Sequence, residues 1–173
     1  MSVIRPLALD DAAALADLCT ASRAFLAPWE PERDESFYTE AGQAELIESS
    51  LAQHEQGLSA PQVILDTDGS VVGRITLNTI VRGAFQSCSL GYWVSQAHNG
   101  RGLATRAVGA AKDLAFGALE LHRVEAATLL HNTASQTVLA RNGFVRFGLA
   151  PTYLRIAGRW QDHVLFQTVR PTS

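Results

Sequence analysis

Apolar and polar positions change their period several times along the chain, and each change marks an element. Val3 to Leu9 alternates as a strand does. Asp10 and Asp11 then offer an N-cap, and Leu15, Leu18, Cys19, Phe25 and Leu26 recur at helical spacing. This helix runs into Ala27-Pro28-Trp29-Glu30-Pro31-Glu32, where two prolines force a loop. Thr39 is placed to cap a second helix reaching about Gln56, with Ile47 and Leu51 among its apolar residues and Gly57 as its stop. Strands over Gln62 to Leu65 and Ser70 to Ile80 flank Asp68-Gly69, a hairpin signal. Arg82-Gly83 marks a further turn, followed by a strand from Phe85 to Ser95. A stripe of Leu103, Ala107, Ala111, Leu114 and Ala115 predicts a helix from Gly102 to about Ala118. Val124 to Leu130 reads as a strand, Ala134 to Arg141 as a short helix ended by Asn142-Gly143, and Phe144 to Phe147 and Val164 to Val169 as two closing strands. Seven strands and four helices in this order predict an α/β protein with a mixed sheet flanked by helices.

Composition narrows the class without changing the layout. A chain of 173 residues suits one domain, here 1–173, and buries roughly 70% of its unfolded surface without a metal or disulfide. With 47% hydrophobic and 18% charged residues it is not a disordered chain. No apolar run approaches the ~18 residues that cross a bilayer, and Met1 to Pro6 carries no apolar leader, so the expected location is cytoplasmic, with no membrane contact. Cys19 and Cys88 are far apart in apolar segments and read as reduced core thiols. A net charge of −3 argues against general nucleic-acid binding and suits a basic partner. The chain lacks a G-x-x-x-x-G-K-[ST] loop, a G-x-S-x-G elbow, an H-E-x-x-H helix and a C-x-x-C pair, leaving hydrolytic zinc and dithiol redox chemistry without support.

The most informative stretch is Ser87-Cys-Ser-Leu-Gly-Tyr-Trp-Val-Ser95 followed by Asn99-Gly-Arg-Gly-Leu-Ala-Thr105. A strand enters a turn with two glycines, and a helix begins at once. Gly100 and Gly102 permit positive φ and close approach of a ligand, and the free N–H groups at the helix start attract an anion, with Arg101 beside them. Residues alone leave three readings open: a dinucleotide turn, disfavoured by Thr105 where a small residue belongs; a pyrophosphate cradle for coenzyme A; or a glycine turn with no ligand.

Asn-Gly-Arg-Gly-Leu-Ala resembles the [QR]-x-x-G-x-[GA] acyl-CoA motif of the GNAT acetyltransferases. His131-Asn-Thr-Ala-Ser135 with Leu139-Ala-Arg-Asn-Gly-Phe144 is similar to the later N-x-x-S…NGF signature of the same family. Phe25 to Ser36, Val81-Arg-Gly-Ala-Phe85 and Gly158-Arg-Trp-Gln-Asp-His-Val164 further resemble the RimJ/RimL-type ribosomal-protein alanine N-acetyltransferases, RimJ most closely. The likeness covers nearly the whole chain. One departure is Asn99, which replaces the usual Gln or Arg and weakens any side-chain contact to phosphate while leaving the backbone cradle intact.

The resemblance implies a GNAT fold, with a mostly antiparallel sheet splayed at the strand before the acyl-CoA loop, and acetyl-CoA as co-substrate. It implies that Trp93, Val94 and Ser95 hold pantetheine through their backbone, with Val94 N–H as oxyanion donor. Asn99, Gly100, Arg101, Gly102, Leu103, Ala104 and Thr105 would form the pyrophosphate cradle. Asn132 would bond pantetheine, and Ser135 would approach the sulfur as candidate acid; on spacing alone these two form an N-cap pair. For the general base, Glu30 leads a cluster with Glu32, Asp34 and Glu35, because Trp29 and two prolines hold it; His122, His163 and a water are its rivals, and Tyr153 is a candidate leaving-group acid. Direct transfer in a ternary complex is expected, since no thiol or hydroxyl lies beside an evident activating base. The expected acceptor is a protein N-terminus beginning with Ala, Ser or Thr, such as that of a ribosomal protein. Alternatives are a small amine on the same fold, or a non-catalytic acyl-CoA-binding module that docks on the ribosome. Apolar edges near Phe85 and Phe166 would permit a homodimer.

Overall fold

The computed structural model describes residues 2–171. One seven-stranded sheet runs through them in the order β1-β2-β3-β4-β5-β7-β6. The strands are β1 (Ile4–Pro6), β2 (Ala60–Leu65), β3 (Val71–Val81), β4 (Ser87–Val94), β5 (Arg123–Leu129), β6 (Val145–Ile156) and β7 (Arg159–Val169). Every neighbouring pair is antiparallel except β4 with β5. The helices are α1 (Ala12–Ala21), α2 (Arg23–Leu26), α3 (Glu40–Glu55), α4 (Leu103–Phe116) and α5 (Thr133–Arg141). No helix among the described residues is long and apolar enough to cross a membrane.

The sheet is buried on both faces by different helices. Helix α4 lays Leu103, Ala107, Val108, Ala111 and Ala115 on one face, against Ile75, Leu77 and Val124. On the other face Leu15 of α1 and Ile47 of α3 pack over Val63 and Leu65. At about 25 cal/mol per Å² of apolar surface, these two layers are the main favourable contribution to folding.

Local chemistry explains most boundaries. Thr39 Oγ1 accepts from Gly42 N–H at 3.0 Å, fixing the start of α3, and Gly57 ends it at φ 73°. Gly69 and Gly143 take positive φ where the hairpin and helix stops were expected. Asp11 occupies the N-cap of α1, but its carboxylate turns back to Ala8 N–H at 2.9 Å and to Arg5 at 2.7 Å. The first predicted helix is broken in two at Ser22, whose hydroxyl is buried and accepts from Gln96 N–H at 3.1 Å, so a tertiary bond decides where α1 stops.

Two expectations are corrected. The closing strands are much longer than Phe144 to Phe147 and Val164 to Val169. They form one hairpin through Ala157-Gly158, both with positive φ. Its outer strand β6 is the sheet edge and is exposed along nearly its whole length, so no alternation announces it, and Pro151 sits in its bulge. Phe166 is not an exposed edge: it is buried on β7, between β5 and β6. Phe85 is exposed as expected.

Candidate active site

Strands β4 and β5 are paired only over Ser87–Ser89 with Arg123–Glu125, and then diverge. Beyond that point β5 remains paired to β7 as far as Leu129, while β4 follows β3 to Val94. The expected splay is therefore present, and the V between the strands opens into a cavity of about 640 Å³. Ser95 N–H donates to Val72 O at 2.8 Å, which assigns the orientation of β4. Main-chain groups alternate along a strand, so Trp93 and Gly91 also turn toward β3, whereas Val94 and Tyr92 turn their N–H groups into the open V. Val94 N–H thus aims where an acyl carbonyl would lie, and Trp93 lines the cavity.

The glycine turn lies at the mouth of this V. Gly100 and Gly102 adopt φ of 75° and 74°, and an added Cβ would meet nothing within 4 Å, so these glycines serve conformation and leave the space above them open. Gly102 is the N-cap of α4, and Arg106 N–H is the first to close onto it, at 3.1 Å. The N–H groups of Leu103, Ala104 and Thr105 are consequently free for an anion, aided by the helix dipole. Arg101 reaches Asp66 at 3.3 Å, so its cation is held beside the turn by a carboxylate that also faces His98. Ser95 Oγ bonds His98 Nδ1 at 2.7 Å and stiffens the approach to the turn; Asn99 lines the cavity.

On the opposite side of the V, Asn132 caps α5 by accepting from Ser135 N–H at 3.1 Å. The cap and the cavity wall are the same residues, since Asn132 and Ser135 both line it and the Asn132 amide N–H groups are not consumed by the cap. Sequence reasoning missed the partner of Ser135. Tyr92 hydroxyl lies 2.8 Å from Ser135 Oγ, joining β4 to α5 across the V. Burial pushes the Tyr92 hydroxyl up to about 12, against a smaller opposing effect of the Ser135 bond, so it remains protonated and can donate to Ser135. No local motif pairs residues so distant in the chain; a tyrosine in the splayed strand was the only available sign.

The six candidate bases separate clearly. Glu30 lines the cavity, and its main-chain oxygen accepts from Ala157 N–H at 3.0 Å, so the β6–β7 turn fixes its loop. Burial raises the Glu30 pKa despite the opposing charge of Arg33. Glu32 lies against Gly158 and lines a second cavity of about 770 Å³ on the other side of the loop, which Glu30 and Arg33 also border. Asp34 faces only that second space, and Glu35 is exposed and paired with Arg23 at 2.6 Å. His122 is exposed and does not line the cavity. His163 is buried with Nδ1 2.9 Å from Gln161 O and stacks obliquely on Tyr153; neither reaches the cavity. Trp29 packs on His131 with ring centroids 5.2 Å apart, bridging the Glu30 loop to the α5 side above the V.

Comparison with known proteins identifies this arrangement. Residues 2–145 match the model of the acetyltransferase (GNAT) domain. The chain belongs to the GNAT acetyltransferase family. It is 37% identical to the ribosomal protein uS5-alanine N-acetyltransferase of Escherichia coli K12, across 98% of this chain and 88% of that one. The ribosomal-protein-S5-alanine acetyltransferase of Vibrio fischeri superposes with a TM-score of 0.90 at 34% identity, covering 96% of this chain and 91% of that one. RimJ of Mycobacterium smegmatis, solved in complex with CoA-disulfide, superposes at 0.91 with 35% identity, covering 96% and 80%.

Proposed function

We propose that this cytoplasmic chain is one acetyltransferase domain that transfers an acetyl group from acetyl-CoA to the N-terminal α-amino group of a protein, with Ala, Ser or Thr first and a ribosomal protein as the natural acceptor. The observation that carries this is the continuity of one cavity, which joins Val94, the α4 start, Ser135 and Glu30. The named activity of the uS5-alanine N-acetyltransferase supports the acceptor class, and the CoA-disulfide complex of the mycobacterial relative supports the donor.

In this reading the pyrophosphate rests on the N–H groups of Leu103, Ala104 and Thr105, and pantetheine lies along the open edge of β4 toward Asn132. The thioester oxygen accepts from Val94 N–H, which stabilises the charge that develops when the amine attacks. Glu30 takes the ammonium proton, directly or through one water. Burial raises its pKa above the ordinary carboxylate value, which makes it a stronger base than an exposed glutamate. When the C–S bond breaks, the electron pair stays on sulfur. The Ser135 hydroxyl donates to that thiolate while accepting from Tyr92. A tyrosine near 12 is too weak an acid to protonate a thiolate of ordinary pKa ~8.5, so the pair stabilises the leaving group by hydrogen bonding; the second proton that the nitrogen sheds as the amide forms passes to solvent, and solvent returns one to the thiolate. Cys19 lines the cavity, but burial pushes its thiol up to about 12, so it offers no thiolate for an acyl-enzyme, and transfer is direct. Exposed Phe85 and the apolar residues of β6 leave room for a homodimer.

The test is free-thiol release from acetyl-CoA with peptides beginning Ala, Ser or Thr, beside small amines. Release that depends on an Ala-peptide, with acetyl mass added at its α-amine, is the expected result. Release with small amines alone would move the acceptor to that class. A thermal shift with acetyl-CoA, about 2.7 kcal/mol at a hundredfold excess over Kd, but no turnover with any acceptor, would leave a non-catalytic acyl-CoA binder.

A further inference from the structure

The cavity holds two guanidinium groups and one carboxylate, an unusual balance for an enzyme whose acceptor is itself a cation. Arg74 stands on β3 opposite Trp93, the neighbour of Val94, and enters the cavity beneath α1 and α3. Its single hydrogen bond goes to the Ser50 hydroxyl at 2.7 Å, and among the described residues no carboxylate lies within ion-pair distance of it. One of its five N–H donors is therefore used. Arg33 likewise has no ion-pair partner and is held over the Phe37 ring at 4.5 Å. Burial, aided by the like charge of Arg33, holds the Arg74 guanidinium below the ordinary arginine value. A half-buried cation without a counter-charge is costly unless an occupant brings oxygen atoms to it.

We propose that Arg74, with Arg33 beside it, is a specificity-determining residue that grips an oxygen of the acceptor chain and selects N-termini with a carboxylate in their first few residues. The proposal rests on the N-terminal acceptor argued above and names the kind of N-terminus. Arg74 lies one register position from the oxyanion donor, so a gripped oxygen belongs within two or three residues of the reacting amine, at about 3.4 Å each. A guanidinium accepts a carboxylate in fork geometry and a peptide carbonyl through one bond, so acidic chains gain most. Polyamines and N-termini followed by lysine meet two like charges against the single carboxylate of Glu30, which disfavours them.

The experiment compares Ala-peptides with Glu, Gly or Lys at the second and third positions, and spermidine, on the wild-type protein, Arg74→Gln and Arg74→Lys. The wild type is expected to use the Glu peptides at least about tenfold better than the Lys peptides in kcat/KM, the worth of one charge-assisted bond. Arg74→Gln should raise KM for the Glu peptides and erase the preference while leaving kcat and the acetyl-CoA thermal shift in place. Arg74→Lys should recover part of the preference through charge alone. Equal use of all three peptides by the wild type overturns the proposal without any substitution, and so does a preference that survives in Arg74→Gln. Turnover of spermidine with none of the peptides would overturn the N-terminal acceptor itself, a different outcome from peptide turnover that ignores charge.

Discussion

On the α4–α5 wall of the V, the groups facing the ligand space are mainly main-chain N–H groups, from Val94 and the start of α4, with short side chains at Asn132 and Ser135. On the α1–α3 wall they are long charged side chains: Glu30, Arg33 and Arg74. The first wall is made by conformation, through two positive-φ glycines and a strand that leaves its neighbour after three residue pairs. The second wall is made by charge placement, with Glu30 and Arg33 from one loop and Arg74 from β3. On the proposed reading, donor chemistry is carried by backbone and acceptor choice by side chains that can be exchanged one at a time.

The sharpest way to separate the two walls is Glu30→Gln, which is expected to lower kcat by about 10²–10⁴-fold with acetyl-CoA binding unchanged. The pH profile of kcat checks the role. A base whose pKa is raised by burial loses activity as pH falls through a value above the usual carboxylate range, and Glu30→Gln should flatten that acid limb. A limb that persists unchanged in Glu30→Gln would assign the base elsewhere. Next in size is Ser135→Ala, expected to cost about 10–150-fold in kcat through the lost bond to the thiolate. Tyr92→Phe should cost less than Ser135→Ala, and the double variant should cost less than the product of the two, because the hydroxyls act in series. Gly102→Ala then tests the backbone wall. An L-residue at φ 74° costs about 1–2 kcal/mol locally, so KM for acetyl-CoA should rise roughly tenfold while peptide discrimination stays.

The smallest effect on catalysis, and a measurable one on stability, is expected from Asp11→Ala, which lies outside both walls. Burial opposes ionisation of Asp11, but hydrogen bonds from Arg5 and Ala8 N–H and the Arg5 charge outweigh it and hold its pKa low. A lowered folded-state pKa means that this stabilisation is full above the unfolded-state value and disappears as pH falls through the folded one. Removing the carboxylate should cost about 1–3 kcal/mol in chemical denaturation near neutral pH, with the gap to wild type closing in acid.

Legibility in the sequence followed the same division. Thr39, Gly57, Gly69, Gly102 and Asn142-Gly143 announced their turns because a cap or a positive φ is a demand of the residue and its nearest neighbours. The strand–turn–helix around Asn99 to Thr105 was readable for that reason, and so was the Asn132–Ser135 cap. The β6–β7 hairpin was half-missed because an edge strand exposed on both faces has no alternation to read. Phe166 was misplaced because exposure depends on which strands become neighbours, and β7 is inserted between β5 and β6.

By itself the chain determined its order of elements, its glycine turn before α4 and its two-sided core, all of which rest on interactions within a few residues or on simple periodicity. Only the tertiary structure decided that Tyr92 meets Ser135 across 43 positions, that Glu30 rather than Glu32 or a histidine enters the cavity, and that Arg74 stands there with no ion-pair partner among the described residues. Those facts depend on how strands far apart in sequence are laid side by side. A side chain's partner and its burial, and with them its pKa and chemistry, exist only once that arrangement has formed.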